Sequence, residues 1–167
     1  MADSASSRRG TTRDAYLAGL TMLARRELSE SQIRTRLRRR EFDAGDIDDA
    51  VERLREERAI DDTRVALAYA RTEANLRQRG RDRVLRGLHL MGIAPSTARS
   101  AVDVVFDELD ERALLDQALQ RRLRHGADLT DRKTLLRLHR YLIAQGFEPG
   151  HVGDLLRRRS KGMADDE

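Results

Sequence analysis

The chain has 167 residues, of which 39% are hydrophobic, 4% aromatic and 37% charged; its formal net charge is +4 and it has no cysteine. That composition excludes disulfides, thiolate catalysis and cysteine-bound zinc, and no apolar run approaches the length of a membrane span. With aromatic residues so scarce, the core has to be lean and built from Leu, Val, Ile and Ala, which suits stacked helices that touch only their neighbours.

Residues 1–12 and 160–167 are small and polar and are expected to be disordered tails. Between them the spacing of apolar residues predicts nine helices and no strand. The first covers 14–26, with Tyr16, Leu17, Leu20, Leu23 and Ala24 on one face. Ser29 and Gln32 form a capping box that opens the second, with Leu28 set to staple onto Ile33. Asp43 caps the third, where Ile47, Ala50, Val51 and Leu54 follow the i, i+3, i+4, i+7 rule. Asp61 and Asp62 are cap candidates for the fourth, which carries Val65, Ala66, Tyr69 and Ala70. Gly80 precedes the fifth, and Gly92 ends it as a left-handed cap. Pro95 sits in the first turn of the sixth, where proline is tolerated. The seventh starts near Asp110 and ends at Gly126. Thr130 or Asp131 starts the eighth, and Gly146 closes it. Pro149 opens the ninth, with Val152, Leu155 and Leu156 on its apolar face.

These helices repeat in threes. Ile33, Leu37, Phe42, Ile47 and Val51 recur 51 residues later as Val84, Leu88, Ile93, Ala98 and Val102. They recur again, 54 residues further on, as Leu138, Leu142, Phe147, Val152 and Leu156. A period of about 50 residues marks tandem copies of one supersecondary unit. The expected fold is all-α, with three-helix repeats at 13–58, 59–108 and 109–159 between the two tails. The loop before the last helix of the second and third repeats holds a glycine, an apolar residue and a nearby proline. The first repeat has Glu41 and Gly45 there, and a different turn geometry is expected.

The stretch IDDTRVALAYAR at 60–71, followed by Gly80, Arg83, Leu88, Gly92 and Ile93, resembles the pattern of the RecX family, regulators of the RecA recombinase. Ala24, Arg25, Arg26, Glu27, Leu28 and Ser29, with Arg34 and Leu37, fit that family's first repeat. Val65 stands where the family usually has Phe, and Met91 where it has Lys or Arg. The resemblance covers about 14–159. It implies an elongated, curved array of three-helix repeats lying along the groove of a RecA filament on single-stranded DNA. It further implies that the array inhibits ATP hydrolysis and strand exchange there.

Charge on its own is banded by helix. Residues 29–40 carry +4, 41–62 carry −7, 64–86 carry +5, 99–116 carry −4 and 121–140 carry +5. Repeats stacked in register would place a basic stripe on one side and an acidic one on another, a surface suited to a nucleoprotein filament. The alternative is a solvated surface held by intrahelical pairs such as Glu30–Arg34 and Asp49–Arg53. The candidate contact residues are Arg71, Arg77, Arg79, Arg81 and Arg83, with Arg34, Arg38 and Arg39 before them and Arg121, Arg122 and Arg124 after. Their role would be charge-assisted contact with phosphate or carboxylate. Tyr69 joins them because it matches the family pattern. Tyr16, Tyr69 and Tyr141 are either base-stacking platforms or helix-face packing residues with the hydroxyl reaching water.

A helix-turn-helix reading fails on charge, since the reading helix would carry six acids against two arginines in 46–57 and would meet phosphates. His89, His125, His139 and His151 have no metal-site spacing, and no nucleotide-binding or nucleophile motif occurs. The expectation is a cytoplasmic, monomeric, non-enzymatic regulator of RecA–DNA filaments, without cofactor, metal or membrane. Two other classes stay open on the residues: an independent DNA-binding helical-repeat protein, and a scaffold for an unrelated acidic protein.

Overall fold

The computed structural model describes residues 11–123, 129 and 131–164. Among them the fold is all-α: α1 (Thr12–Leu23), α2 (Glu30–Arg38), α3 (Ala44–Glu56), α4 (Asp62–Arg71), α5 (Arg81–Leu90), α6 (Pro95–Asp107), α7 (Glu111–Leu123), α8 (Arg132–Ala144) and α9 (Pro149–Ala164). A π-helical turn, Thr72–Leu76, follows α4. Gly126 and Thr130, expected at the end of one helix and the start of the next, lie outside the described residues.

Local chemistry explains where the helices begin. The Ser29 hydroxyl accepts from the Gln32 amide, and the Gln32 side chain accepts from the Ser29 amide. Leu28 and Ile33 lie in one buried cluster, as a staple requires. Asp61 takes the Arg64 amide at 2.9 Å and so caps α4. Asp62 accepts instead from the Glu30 amide at 2.9 Å. Asp110 caps α7 through the Arg112 and Ala113 amides, and Asp131 caps α8 through those of Lys133 and Thr134. Three ends differ from expectation, the first being that α1 stops at Leu23, short of 26. Thr11 caps α1 in a capping box with Asp14, which draws Thr12 out of the expected tail into the helix. At the other end α9 continues to Ala164, past Ser160, where the tail was expected to begin.

Fourteen of the fifteen recurring apolar positions are buried, and Phe42 is half-buried. The burial pattern is consistent with three successive helix triplets. The turn of the first triplet is a correction to the sequence reading. Glu41 has φ +64, the same left-handed conformation as Gly92 at +74 and Gly146 at +92. Each precedes a recurring apolar residue. The Phe42 amide donates to the Leu37 carbonyl, and the Phe147 amide to that of Leu142, the six-to-one bond that closes a helix around a left-handed residue. Glu41 therefore keeps the turn of its glycine counterparts while bearing a Cβ that disfavours it. Glu41→Gly is expected to stabilise the protein by about 0.5–1 kcal/mol, read as a rise in Tm of about 1–4 °C.

The helices pack as two compact units. The first holds the described residues up to Val65, together with Met91–Ala94. In it α1 lies across α3 and α2. The buried Ser29 hydroxyl donates to the Met91 carbonyl at 2.5 Å, and a Cβ on Gly92 would collide with the Ser31 side chain. The second unit holds Ala66–Leu90 and the described residues from Pro95 onward. In it α5 packs on α6 and the π turn, while α7, α8 and α9 pack on one another.

Candidate partner-binding arginine clefts

In the second unit the π turn presents Glu73, whose side chain is only 2% exposed. Its carboxylate pairs with Arg77 at 3.0 Å and with Arg79. The turn closes through the Arg79 amide on the Glu73 carbonyl at 3.0 Å, with Gln78 left-handed at φ +52. This wide turn sets Arg77 and Arg79 in one open cleft with Arg121 and Arg122 from the last turn of α7. Tyr141, Gln78, Gln145 and Ala118 complete the walls. The Arg122 guanidinium stands 5.2 Å from the centre of the Tyr141 ring, within cation–π range. Four arginines thus line the cleft, and two of them pair with Glu73. Arg121 and Arg122 carry no ion pair among the described residues.

The other central arginines are occupied in different ways. Arg81 pairs with Asp103 at 2.5 Å, Glu111 at 3.3 Å and Asp107 at 3.8 Å. Its guanidinium also lies 5.2 Å from the Phe106 ring centre. It ties α5 to α6 and to the start of α7. Arg83 donates to the Ala144 carbonyl at 3.0 Å. Arg71 is exposed, with no carboxylate within ion-pair distance among the described residues. Tyr69 is half-buried, and its hydroxyl occupies the space where a Cβ on Gly87 would sit. Burial raises its pKa and the neighbouring Glu73 adds to the rise, while Arg79, Arg77 and Arg83 oppose it. Tyr69 is packed against α5. Arg124 lies outside the described residues.

The first unit separates its arginines sharply. Arg34 is held by Glu30 at 2.8 Å and by Asp48, and Arg55 by Glu30 at 2.5 Å and Glu52 at 2.7 Å. Burial works against ionised Glu30, but the hydrogen bonds from Arg55 and Arg34 prevail and hold its carboxyl below the usual range. Arg53 pairs with Glu57 at 2.9 Å and lies 4.0 Å over the Tyr16 ring, so the Asp49–Arg53 pair expected from spacing gives way to Glu57. Arg64 pairs with Glu27 at 2.6 Å. By contrast Arg25, Arg26, Arg36, Arg39 and Arg40 meet in one cleft at the C-terminal ends of α1 and α2. None of these five has an ion pair among the described residues, nor does the neighbouring exposed Arg38.

Of the residues nominated from sequence, the structure gathers Arg77, Arg79, Arg121 and Arg122 in one cleft and places Arg39 in the other. It commits Arg34, Arg81 and Arg83 to internal contacts. Sequence reading passed over Arg25, Arg26, Arg36 and Arg40, for which the adjacent Arg25–Arg26 pair after an apolar helix was the available signal. It also passed over Glu73, one of only two acids among seven arginines in 64–86. No group of three or more metal-ligating side chains occurs among the described residues, and no described helix is long and apolar enough to cross a membrane.

Comparison with known proteins agrees with this architecture. The model of the RecX first three-helix domain matches residues 15–54. The crystal structure of RecX from Lactobacillus salivarius superposes with a TM-score of 0.74 at 20% identity, over 90% of this chain and 96% of that one, a likeness of fold. Regulatory protein RecX of Syntrophotalea carbinolica is 31% identical over 80% of this chain and 88% of its own length. That of Halorhodospira halophila is 33% identical over 81% of both chains. On this identity, sustained across four fifths of the sequence, the chain belongs to the RecX family of regulatory proteins.

Proposed function

We propose that the chain is a monomeric cytoplasmic regulator that binds the RecA filament on single-stranded DNA and inhibits its ATPase and strand-exchange activities. The three triplets at 13–58, 59–108 and 109–159 would act as a curved array in the filament groove, without cofactor or metal. Inhibition would be steric and electrostatic, because the array occupies space that a second DNA strand or subunit movement needs. One observation carries the reading beyond family membership: the cleft of Arg77, Arg79, Arg121 and Arg122, four guanidiniums of which only the first two are paired with a buried carboxylate. An anionic partner is the complement of that charge.

DNA-stimulated ATP hydrolysis by the cognate RecA, titrated with this protein, tests the proposal. Inhibition well below one protein per recombinase is expected, at concentrations where the protein alone does not coat the DNA. Arg121→Glu with Arg122→Glu alters two exposed side chains. It is expected to raise the half-inhibitory concentration on the order of tenfold to a hundredfold, the worth of one or two charge-assisted hydrogen bonds, with helical circular dichroism unchanged. A folded wild-type protein that leaves ATP hydrolysis untouched would rule the proposal out.

A further inference from the structure

We propose that the cleft of Arg77, Arg79, Arg121 and Arg122 in the second unit is a binding site for a free nucleoside di- or triphosphate. The guanidiniums take the phosphates, and the glutamines and tyrosine of the walls take the base. Charge is the first observation. Arg77 and Arg79 are held on the buried Glu73 carboxylate, Arg77 at 3.0 Å. A guanidinium carries five N–H donors, so this pairing fixes the two side chains without exhausting them. Arg121 and Arg122 are exposed and have no ion pair among the described residues. No carboxylate lines the cleft itself. Four guanidiniums against the one carboxylate of Glu73 leave a net positive charge that suits clustered phosphates better than a single one. The cleft has a volume of about 470 Å³, the size of a small-molecule site.

The second observation is the polar wall, for which charge gives no account. An anion that met only the guanidiniums leaves Gln78, Gln145 and Tyr141 unserved. Oε1 of Gln78 is closed off from solvent and accepts no hydrogen bond, a costly state for an acceptor. The rest of that half-buried side chain lines the cleft. Its terminal torsion is soft, so a half-turn of the amide brings the oxygen to an N–H of a ligand. The Gln145 side chain and the Tyr141 hydroxyl also have no hydrogen-bond partner among the described residues. A glutamine amide sets an acceptor beside a donor, and the edge of a nucleobase offers the complement. Arg122 and the Tyr141 ring, 5.2 Å apart, add two planar surfaces on which a base stacks. Clustered phosphates and a planar, hydrogen-bonding base together satisfy every group of the lining that is left without a partner.

Isothermal titration calorimetry of the full chain with ATP, GTP and inorganic triphosphate tests the proposal. Both nucleotides are expected to bind at least about fivefold more tightly than triphosphate, the worth of stacking one base. Arg121→Gln with Arg122→Gln should weaken ATP on the order of tenfold to a hundredfold, as one or two charge-assisted hydrogen bonds are lost. Arg39→Gln with Arg40→Gln, two exposed residues of the first unit, should leave ATP affinity within about twofold of wild type. Gln78→Met with Gln145→Met removes an unsatisfied acceptor and keeps chain length. It should bring ATP down to the affinity of triphosphate while triphosphate binding stays as it was. The proposal is overturned if millimolar ATP gives no heat of binding, or if triphosphate binds wild type as tightly as ATP, which would make the cleft a reader of charge alone. It is also overturned if the first-unit pair weakens ATP as much as Arg121→Gln with Arg122→Gln, or if the glutamine variant keeps the full preference for nucleotide. The inference goes beyond the proposed function and does not rest on it. The titration contains neither recombinase nor DNA, so its failure leaves the ATPase experiment to be judged separately.

Discussion

Gly80→Ala is expected to destabilise the protein by about 2–4 kcal/mol, combining overpacking with the weakening of a backbone hydrogen bond. Tm should fall by roughly 5–15 °C. In the second unit the Gly80 amide donates to the Gln145 carbonyl at 2.9 Å, and the Asp82 amide donates to that of Gly146 at 3.3 Å. A methyl on Gly80 would run into the Gly146 carbonyl group and come within 2.7 Å of the Phe147 nitrogen. These are main-chain atoms, so no rotamer change relieves the clash. The start of α5 would have to move off the end of α8. Gly45 in α3 and Gly153 in α9 supply the control, since a Cβ at either meets nothing within 4 Å. Alanine at those two sites should be neutral or stabilising by about 0.5–1 kcal/mol through helix propensity. Thermal unfolding followed by circular dichroism distinguishes the cases. A Gly80→Ala protein that melts with the wild type would show that the two backbones are not in such close contact.

Removing both cations from Glu73 is expected to have an effect of similar or greater size. With Arg77→Met and Arg79→Met together, a carboxylate whose side chain is 2% exposed keeps its burial and loses both partners. Breaking a buried pair in this way costs about 3–5 kcal/mol, because the remaining charge has neither water nor counter-charge. Adding Glu73→Met should recover most of the loss, since an apolar residue of similar volume carries no desolvation penalty. Urea unfolding of the double and triple variants measures both steps. Recovery in the triple variant would assign the damage to the unpaired carboxylate. A triple variant as unstable as the double would assign it to lost packing of the arginine stems. The triple variant also separates fold from binding, because it restores the unit while leaving the cleft two cations short.

The periodicity of this sequence determined its helices and its core. Apolar residues three and four apart face one side of a helix, and the capping groups lie within three residues of the amides they satisfy, so both are decided by local geometry. The recurrence of Ile33, Leu37 and Phe42 as Val84, Leu88 and Ile93 was legible for that reason, as was the Ser29–Gln32 capping box. The left-handed Glu41 was not, because its side chain disfavours the conformation in which the Phe42 amide closes the helix on the Leu37 carbonyl. The candidate contact residues divide along the same line. Sequence placed basic residues on particular helices but could not say which would be neutralised. That depends on carboxylates distant in the chain: Arg34 on Asp48, Arg81 on Asp103 and Arg64 on Glu27. Only the packing of helices decides such pairs, since ion pairing acts over a few ångströms in space whatever the separation in sequence. For the same reason tertiary structure alone revealed that five arginines of the first unit are left without a partner among the described residues, and that Glu73 draws Arg77 and Arg79 into the cleft with Arg121 and Arg122.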